Sequence, residues 1–483
     1  MKIVNLKIAI ACTALLCVSA AAASQRKGTW VEEGGIMKFI VGRAAATAQA
    51  EAEAAYSREA CDDIILIEPW ISLDEVNEMV PRPGAKVLFR RGGVWRGQLQ
   101  PRSGKPGHPI VYGAFGEGPS PVLEPSLDKS REDDWRRVEG RAGVWMTETH
   151  SGVDIGNVLF LDSAGDVVCC GVKKGSLAEL ATERDFWCDP ESFCVYVKSA
   201  HNPATISAAV ELAEKIHCID EAYMHDVVYD GLALRFSAAH GIGGKDVKRI
   251  TVRNCDISWI GGGYLYFDNA GRGVRYGNGI EFWGPCEDVL VERNNISQCW
   301  DAGLTNQSNI DGAVQRNIAW RSNTVDKCEY SYEYWQQGAA AVTENVCVEE
   351  NIFTNAGMGW GHAQRWNPNG AHLMFYDTTA QTHGFTVRAN VFGRSADTLM
   401  RMFNDCRDSL AFSGNSWDAQ GTRLICRYHG RPRRELRYKY PDRLDTTHAD
   451  NLAEIESQGS GARVFTPDAL DEFLAFLAEF SKQ

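Results

Sequence analysis

Seven short runs of β-branched, aromatic and aliphatic residues recur through the second half of the chain. They are Asp226-Val227-Val228, Ile250-Thr251-Val252, Val289-Leu290-Val291, Ile318-Ala319-Trp320, Val346-Cys347-Val348, Phe385-Thr386-Val387 and Leu410-Ala411-Phe412. A polar segment closes each one, from Tyr229-Asp230-Gly231 and Cys255-Asp256-Ile257 through Asn294-Asn295-Ile296, Ser322-Asn323-Thr324, Glu350-Asn351-Ile352 and Ala389-Asn390-Val391 to Gly414-Asn415-Ser416. The gaps between the Asn or Asp positions are 26, 39, 28, 28, 39 and 25 residues. A strand-then-Asn unit repeated at this period marks a solenoid. No amphipathic helix fills the period, so the repeat predicts an all-β chain wound as a parallel β-helix. The Asn side chains would stack at one turn, each bonding the backbone of the next coil.

The two 39-residue gaps exceed the others by about a dozen residues, and both excesses follow the same turn. One covers Gly261 to Asn278, with Tyr264, Tyr266, Asp268, Arg272, Arg275 and Tyr276; the other covers Gly357 to Ala371, with Trp360, His362, Arg365, Trp366, Asn367 and Asn369. Equal phase predicts two walls on one face, with the plain coils of Asn295 and Asn323 as the floor of a groove across the solenoid.

On that floor Gly279 to Trp283, Gly303 to Gln307 and Ser331 to Trp335 fall in register. Ile280, Leu304 and Tyr332 then point inward, and period-two alternation sends Glu281, Thr305 and Glu333 outward, with Trp283, Gln307 and Trp335 beside them. Asp301 and Glu329 are a second outward pair. A coil spacing of about 4.8 Å places Asp301 and Glu329 about 5 Å apart and Glu281 and Glu333 about 10 Å apart. The first separation suits a retaining glycosidase pair and the second approaches an inverting pair.

Asp301 and Glu333 are the first candidates for acid and base, followed by Glu281 and Glu329, because crowded carboxylates share protons. His240, His362 and His372 lie nearest this face as neutral bases or hydroxyl partners. Arg365, between Trp360 and Trp366, suits a sugar's carboxylate or hydroxyl pair. With Asn306, Trp283 and Trp335 they form the expected substrate contacts. Each has a structural alternative: the acids as solvated sheet-face groups, His240 as a structural hydrogen-bonding group, Arg365 as a salt bridge holding its loop.

The ends read differently. Lys2 and Lys7, the apolar run Ile8 to Val18 and small residues to Ser24 predict a cleaved secretory leader over 1–24, too short to be a membrane span. Residues 25–64 form a cap segment with a short helix over Arg43 to Tyr56, shielding an open sheet edge. The solenoid occupies 65–430, with a β-rich insertion over about 130–215. The tail 431–483 carries an amphipathic helix, Asp468 to Phe480, over the last coil. Net charge is -13 and falls to about -15 without the leader lysines, which excludes a nucleic-acid partner. Thirteen cysteines remain after the leader, an odd number. Cys188 and Cys194 flank a turn where a disulfide would close a hairpin, and the rest are expected to pack as small hydrophobes.

The text from Pro69-Trp70 through Pro83 to Gly92, Trp95-Arg96-Gly97, Ser103 to Gly107 and Tyr112 to Gly118 is highly specific. With Asp185-Phe186-Trp187, His240-Gly241-Ile242, Gly277 to Trp283, Asp301 to Gln307 and Gly359 to Arg365, it resembles the bacterial right-handed parallel β-helix proteins of the pectate-lyase-like superfamily. The resemblance covers roughly 65 to 430 and implies the right-handed coil. Relatives on this fold include polysaccharide lyases, glycoside hydrolases and epimerases, so the site must choose among them. The expectation is an exported, monomeric enzyme, secreted or periplasmic and with no stable membrane association, that hydrolyses a polysaccharide or oligosaccharide with no cofactor. Its rivals are a lyase acting on a uronate polymer, with calcium assisting, and a non-catalytic carbohydrate-binding solenoid.

Overall fold

The structure is a computed structural model, which describes residues 29–33, 36–40, 63–376, 378–402, 410–418, 423–427 and 463–465. The expected leader, the helix over Arg43 to Tyr56 and the helix over Asp468 to Phe480 lie outside the described residues. Among the described residues no helix is long and apolar enough to cross a membrane.

Successive coils stack in parallel, and each has three faces. The first carries Ile280 to Trp283, then Ala302–Ser308, Tyr330–Gln336, Ala371–Phe375 and Thr398–Met402. The strand Ile280–Glu292 runs on through a corner to the second face, where Val314–Arg321, Val342–Glu349, Gln381–Arg388 and Leu410–Ser413 follow. A ten-stranded sheet makes the third, from Val94–Arg96 to Arg463–Phe465. Buried apolar side chains fill the coil, among them Ile280, Leu304, Tyr332, Trp320 and Phe385.

The side-chain ladder sits between the second and third faces. Asn323 Oδ1 accepts the backbone N–H of Asn294 at 3.0 Å and its Nδ2 at 2.9 Å, while Asn323 Nδ2 donates to the Val291 carbonyl at 3.0 Å. Asn351, Asn390 and Asn415 repeat the pattern. Two details depart from the sequence reading. The bonds run to the preceding coil, and the stacked residue of the Asn294-Asn295 pair is Asn294, whose predecessor is Cys255. Asn295 and Asp256 pair on the third face and are exposed, so neither belongs to the ladder. Arg293, Ser322, Glu350 and Ala389, each just before a ladder residue, have φ of 53° to 57°. That left-handed step turns the corner, at a cost the ladder offsets.

Replacing Asn323 by Ala leaves a buried N–H and a buried carbonyl without partners. Denaturant unfolding should show a loss of about 3 kcal/mol, against less than about 0.5 for the exposed Asp256→Ala.

Two small sheets leave the solenoid between Ser126 and Glu214, near the region expected as an insertion. One has five strands around Val144–Thr147, Asp185–Cys188 and Val195–Lys198; the other has four, around Ile155–Leu161 and Ala209–Glu214. Trp135, Val158, Phe160, Phe186 and Val197 are part of their shared core. The Cys188–Cys194 disulfide is not formed: both thiols are free, and Cys188 Sγ points at the Phe193 carbonyl. Eight other cysteines in the described residues are free too, six of the ten being buried. This is packing by small hydrophobes.

Candidate active site

Both long excursions leave the corner between the third and first faces, so they rise from one side as their phase requires. They are not separate walls. Arg275 Nη1 bonds Gln364 at 3.0 Å, the Arg272 guanidinium lies 4.1 Å from the Trp366 ring, and Trp360 packs on Trp300 and Trp259. The inserted sheets join them: Arg275 Nη2 bonds the Gly156 carbonyl at 2.9 Å, and Gln364 Nε2 bonds that of Gly171 at 2.8 Å. The buried Lys173 closes the joint through Asp154 at 2.6 Å, its pKa pushed down to about 8 by burial despite that partner. At the neck of the first excursion Gly277, φ 137°, lies so close to Gly261 that a Cβ would sit 2.1 Å from its Cα. The result is one continuous wall that flanks the first face along the solenoid axis, in place of the two walls expected on either side of a groove across it.

The floor register is as read from the sequence. Glu281 lies opposite Thr305 and Thr305 opposite Glu333, with Trp283, Gln307 and Trp335 in the parallel row. Thr305, Gln307 and Glu333 are nevertheless buried. Trp283 and Trp335 meet edge to face at 5.4 Å across the intervening coil.

Glu281 is held by three groups. Asn278 Nδ2 donates to it at 2.5 Å, Gln307 Nε2 at 3.3 Å, and His240 Nε2 lies 3.4 Å away. The donors are fixed by the backbone. The Ala302 N–H bonds Asn278 Oδ1 at 2.8 Å, turning the amide nitrogen to Glu281; the Asn278 N–H bonds His240 Nδ1 at 3.0 Å, leaving the proton on Nε2. The His217 ring stacks on His240 at 5.0 Å and takes its backbone N–H. Burial lowers the His240 pKa to about 3, so the ring is neutral at any working pH, and burial raises Glu281 to about 7 against the Asn278 bond.

A second group stands at the base of the wall. Arg365 Nη2 bonds the Trp300 carbonyl at 2.5 Å and Asp301 at 3.2 Å, and its Nε is 3.8 Å from Glu329. Glu329 also takes His362 Nδ1 at 2.9 Å and the Asn369 N–H at 2.7 Å. Burial works against its charge, but Arg365, His362 and the amide outweigh this and hold its pKa below the ordinary carboxylate value. Asp301 goes the other way: burial, with Glu329 and Glu281 nearby, lifts it despite Arg365. Its side chain is 26% exposed, the most open of the four acids.

Glu333 differs from all of these. It is 5% exposed, has no hydrogen-bond partner, and its oxygens are not sealed from solvent. Burial, with the Asp301 and Glu281 carboxylates beside it, raises its pKa well above the normal range. Its surroundings favour the protonated form.

Several expected contacts are corrected. Glu329 is sealed and fully engaged, so it positions Arg365 and His362, and the close Asp301–Glu329 pair is not an acid–base dyad. Asn306 is completely buried inside the coil, bonded to Tyr332, Trp320 and Gln315, because period two turns it inward with Leu304. His372 is also interior, bonded to Ser331 and the Gly393 carbonyl beside Phe353 and Phe392. Trp360 is buried and its indole N–H is taken by the Gln298 carbonyl, so it is wall and not platform. Arg365 is the salt-bridged alternative. The sequence reading missed Asn278, His217 and Trp300; the Gly-Asn-Gly step before a buried strand was the one available signal, for Asn278. Among the described residues no group of three or more acidic, His or Cys side chains is placed to hold a metal ion.

Residues 192–392 match the sequence family described as right handed beta helix region, and the chain is a right-handed parallel β-helix protein. No curated protein sequence matches it. Among solved structures it is similar to XylC in complex with xylose (12% identity, 75% of this chain and 69% of that one, TM-score 0.44). It is also similar to the GH136 lacto-N-biosidase from Eubacterium ramulus (13%, 77% and 66%, 0.35) and an alginate lyase from Paenibacillus sp. (10%, 76% and 96%, 0.36).

Proposed function

We propose that the protein is an exported carbohydrate-active enzyme that hydrolyses a glycosidic bond in this groove. Glu333 gives its proton to the glycosidic oxygen as the bond to the anomeric carbon breaks. Asp301, held by Arg365, takes a proton from the attacking water, whose hydroxyl joins that carbon. Glu281, fixed by Asn278 and His240, accepts a sugar hydroxyl. The carrying observation is Glu333: a carboxyl that is buried, has no hydrogen-bond partner and lies beside two other carboxylates, surroundings that favour its protonated form.

A β-elimination is the second reading, supported by the Glu329–His362 pair. With Nδ1–H given to the carboxylate, Nε2 is left as a base on a side chain 26% exposed. The cation such a reaction needs for a uronate is already engaged, since Arg365 serves Asp301 and the Trp300 carbonyl. Purified protein is to be screened on neutral and uronate glycans, following reducing ends and ultraviolet absorbance together. New reducing ends without absorbance support hydrolysis; absorbance rising in step with them replaces it with elimination.

The rate should rise with pH as the base Asp301 and then Glu281, raised to about 7, ionise, and fall as Glu333 loses its proton. His240 contributes no limb, being neutral throughout. A pH–rate profile of Glu281→Gln that keeps the limb near 7 would assign it elsewhere.

A further inference from the structure

Two residues beyond the acidic positions, the first face carries a second outward row. Pairing places Ala222 beside Lys245, Lys245 beside Trp283, Trp283 beside Gln307 and Gln307 beside Trp335. Tyr223, next to Ala222, is 60% exposed, and the Lys245 ammonium lies 5.7 Å from its ring. Four coil spacings of about 4.8 Å separate the coils of Tyr223 and Trp335, a track of about 20 Å parallel to the axis.

An exposed Tyr at the turn that ends this row, over Lys245, and two half-buried indoles within it, beside a row of carboxylates, match the apolar faces and hydroxyl edges of a sugar chain. From the proposed hydrolysis we infer that the ligand is an extended glycan lying along the axis, stacked on Tyr223, Trp283 and Trp335. A linear glycan advances about 5 Å per sugar, close to the coil spacing of about 4.8 Å, so the track takes about four or five sugars. The acids occupy the coils of Glu281 to Glu333, and Tyr223 lies two coils before Glu281. The chain therefore extends past the reacting bond toward the N-terminal coils. A ligand confined to one terminal sugar would leave Tyr223 without a role.

The test reads binding, so it does not require catalysis. Folded Glu333→Gln protein is run through gels holding xylan, mixed-linkage β-glucan, galactan, arabinan, alginate or polygalacturonate. Oligomers of two to eight sugars from the retarding polymer are then titrated calorimetrically. Affinity should climb with length to about five sugars and level off. Tyr223→Ala, at a site too exposed to disturb the fold, should weaken the hexamer about tenfold and leave the dimer within twofold; Trp283→Ala should weaken both. Retardation by none of the polymers, affinity complete at two sugars, or an unchanged hexamer in Tyr223→Ala overturns the inference. Length-dependent binding by a wild type that releases no reducing ends would instead remove the hydrolytic reading and leave the track standing.

Discussion

Glu333→Gln should lose at least about a hundredfold in kcat/KM while folding normally, since the amide fills the same space and cannot give up a proton. Stability separates this from a structural defect. The folded-state pKa of Glu333 is raised above its unfolded value, so wild-type stability is fully present below the ordinary carboxylate pKa. It declines as pH rises through the folded value, because ionising the buried group opposes the fold. Removing the carboxyl removes that slope. Thermal unfolding of the variant should show Tm unchanged at acid pH and raised at neutral and alkaline pH. A variant that keeps wild-type turnover would show that the acid lies elsewhere, with Asp301 next to be replaced by Asn.

Arg365→Met should be the most destabilising single change at the site. It strands two acids: Glu329, with its side chain fully buried, and the partly open Asp301. Breaking a buried ion pair from one side costs about 3 to 5 kcal/mol. The sign of its pH dependence is opposite to that of Glu333. The pKa of Glu329 is depressed in the folded state, so its contribution is present above the unfolded value and is lost as pH falls through the folded one. The gap between wild type and variant, read by chemical denaturation, should be wide at neutral pH and narrow in acid. Arg365→Lys should recover part of the stability, because the charge returns without the planar fork that reaches the Trp300 carbonyl and Asp301 together. A gap that does not change with pH would mean that Arg365 acts by packing on Trp300 alone.

The linear order of residues was enough to determine the coil, its repeat and the pairing of Glu281, Thr305 and Glu333. Those follow from backbone periodicity, in which each residue's face depends only on its position along the strand. The common side of the two excursions was legible for the same reason, since equal spacing means equal phase. Function within that frame depended on contacts between distant segments. Asp301, Glu329 and Glu333 look alike as letters; Arg365 and His362, more than thirty residues on from Glu329, hold one charged, while burial beside the Asp301 and Glu281 carboxylates outweighs Arg365 and favours the protonated form of another. Asn306 and His372 show the same limit, since no motif states whether a polar side chain near a strand faces solvent or fills a hole beside Trp320 or Phe392. Charge state and accessibility are set by what the folded chain brings alongside each group, and only the tertiary structure supplies those neighbours.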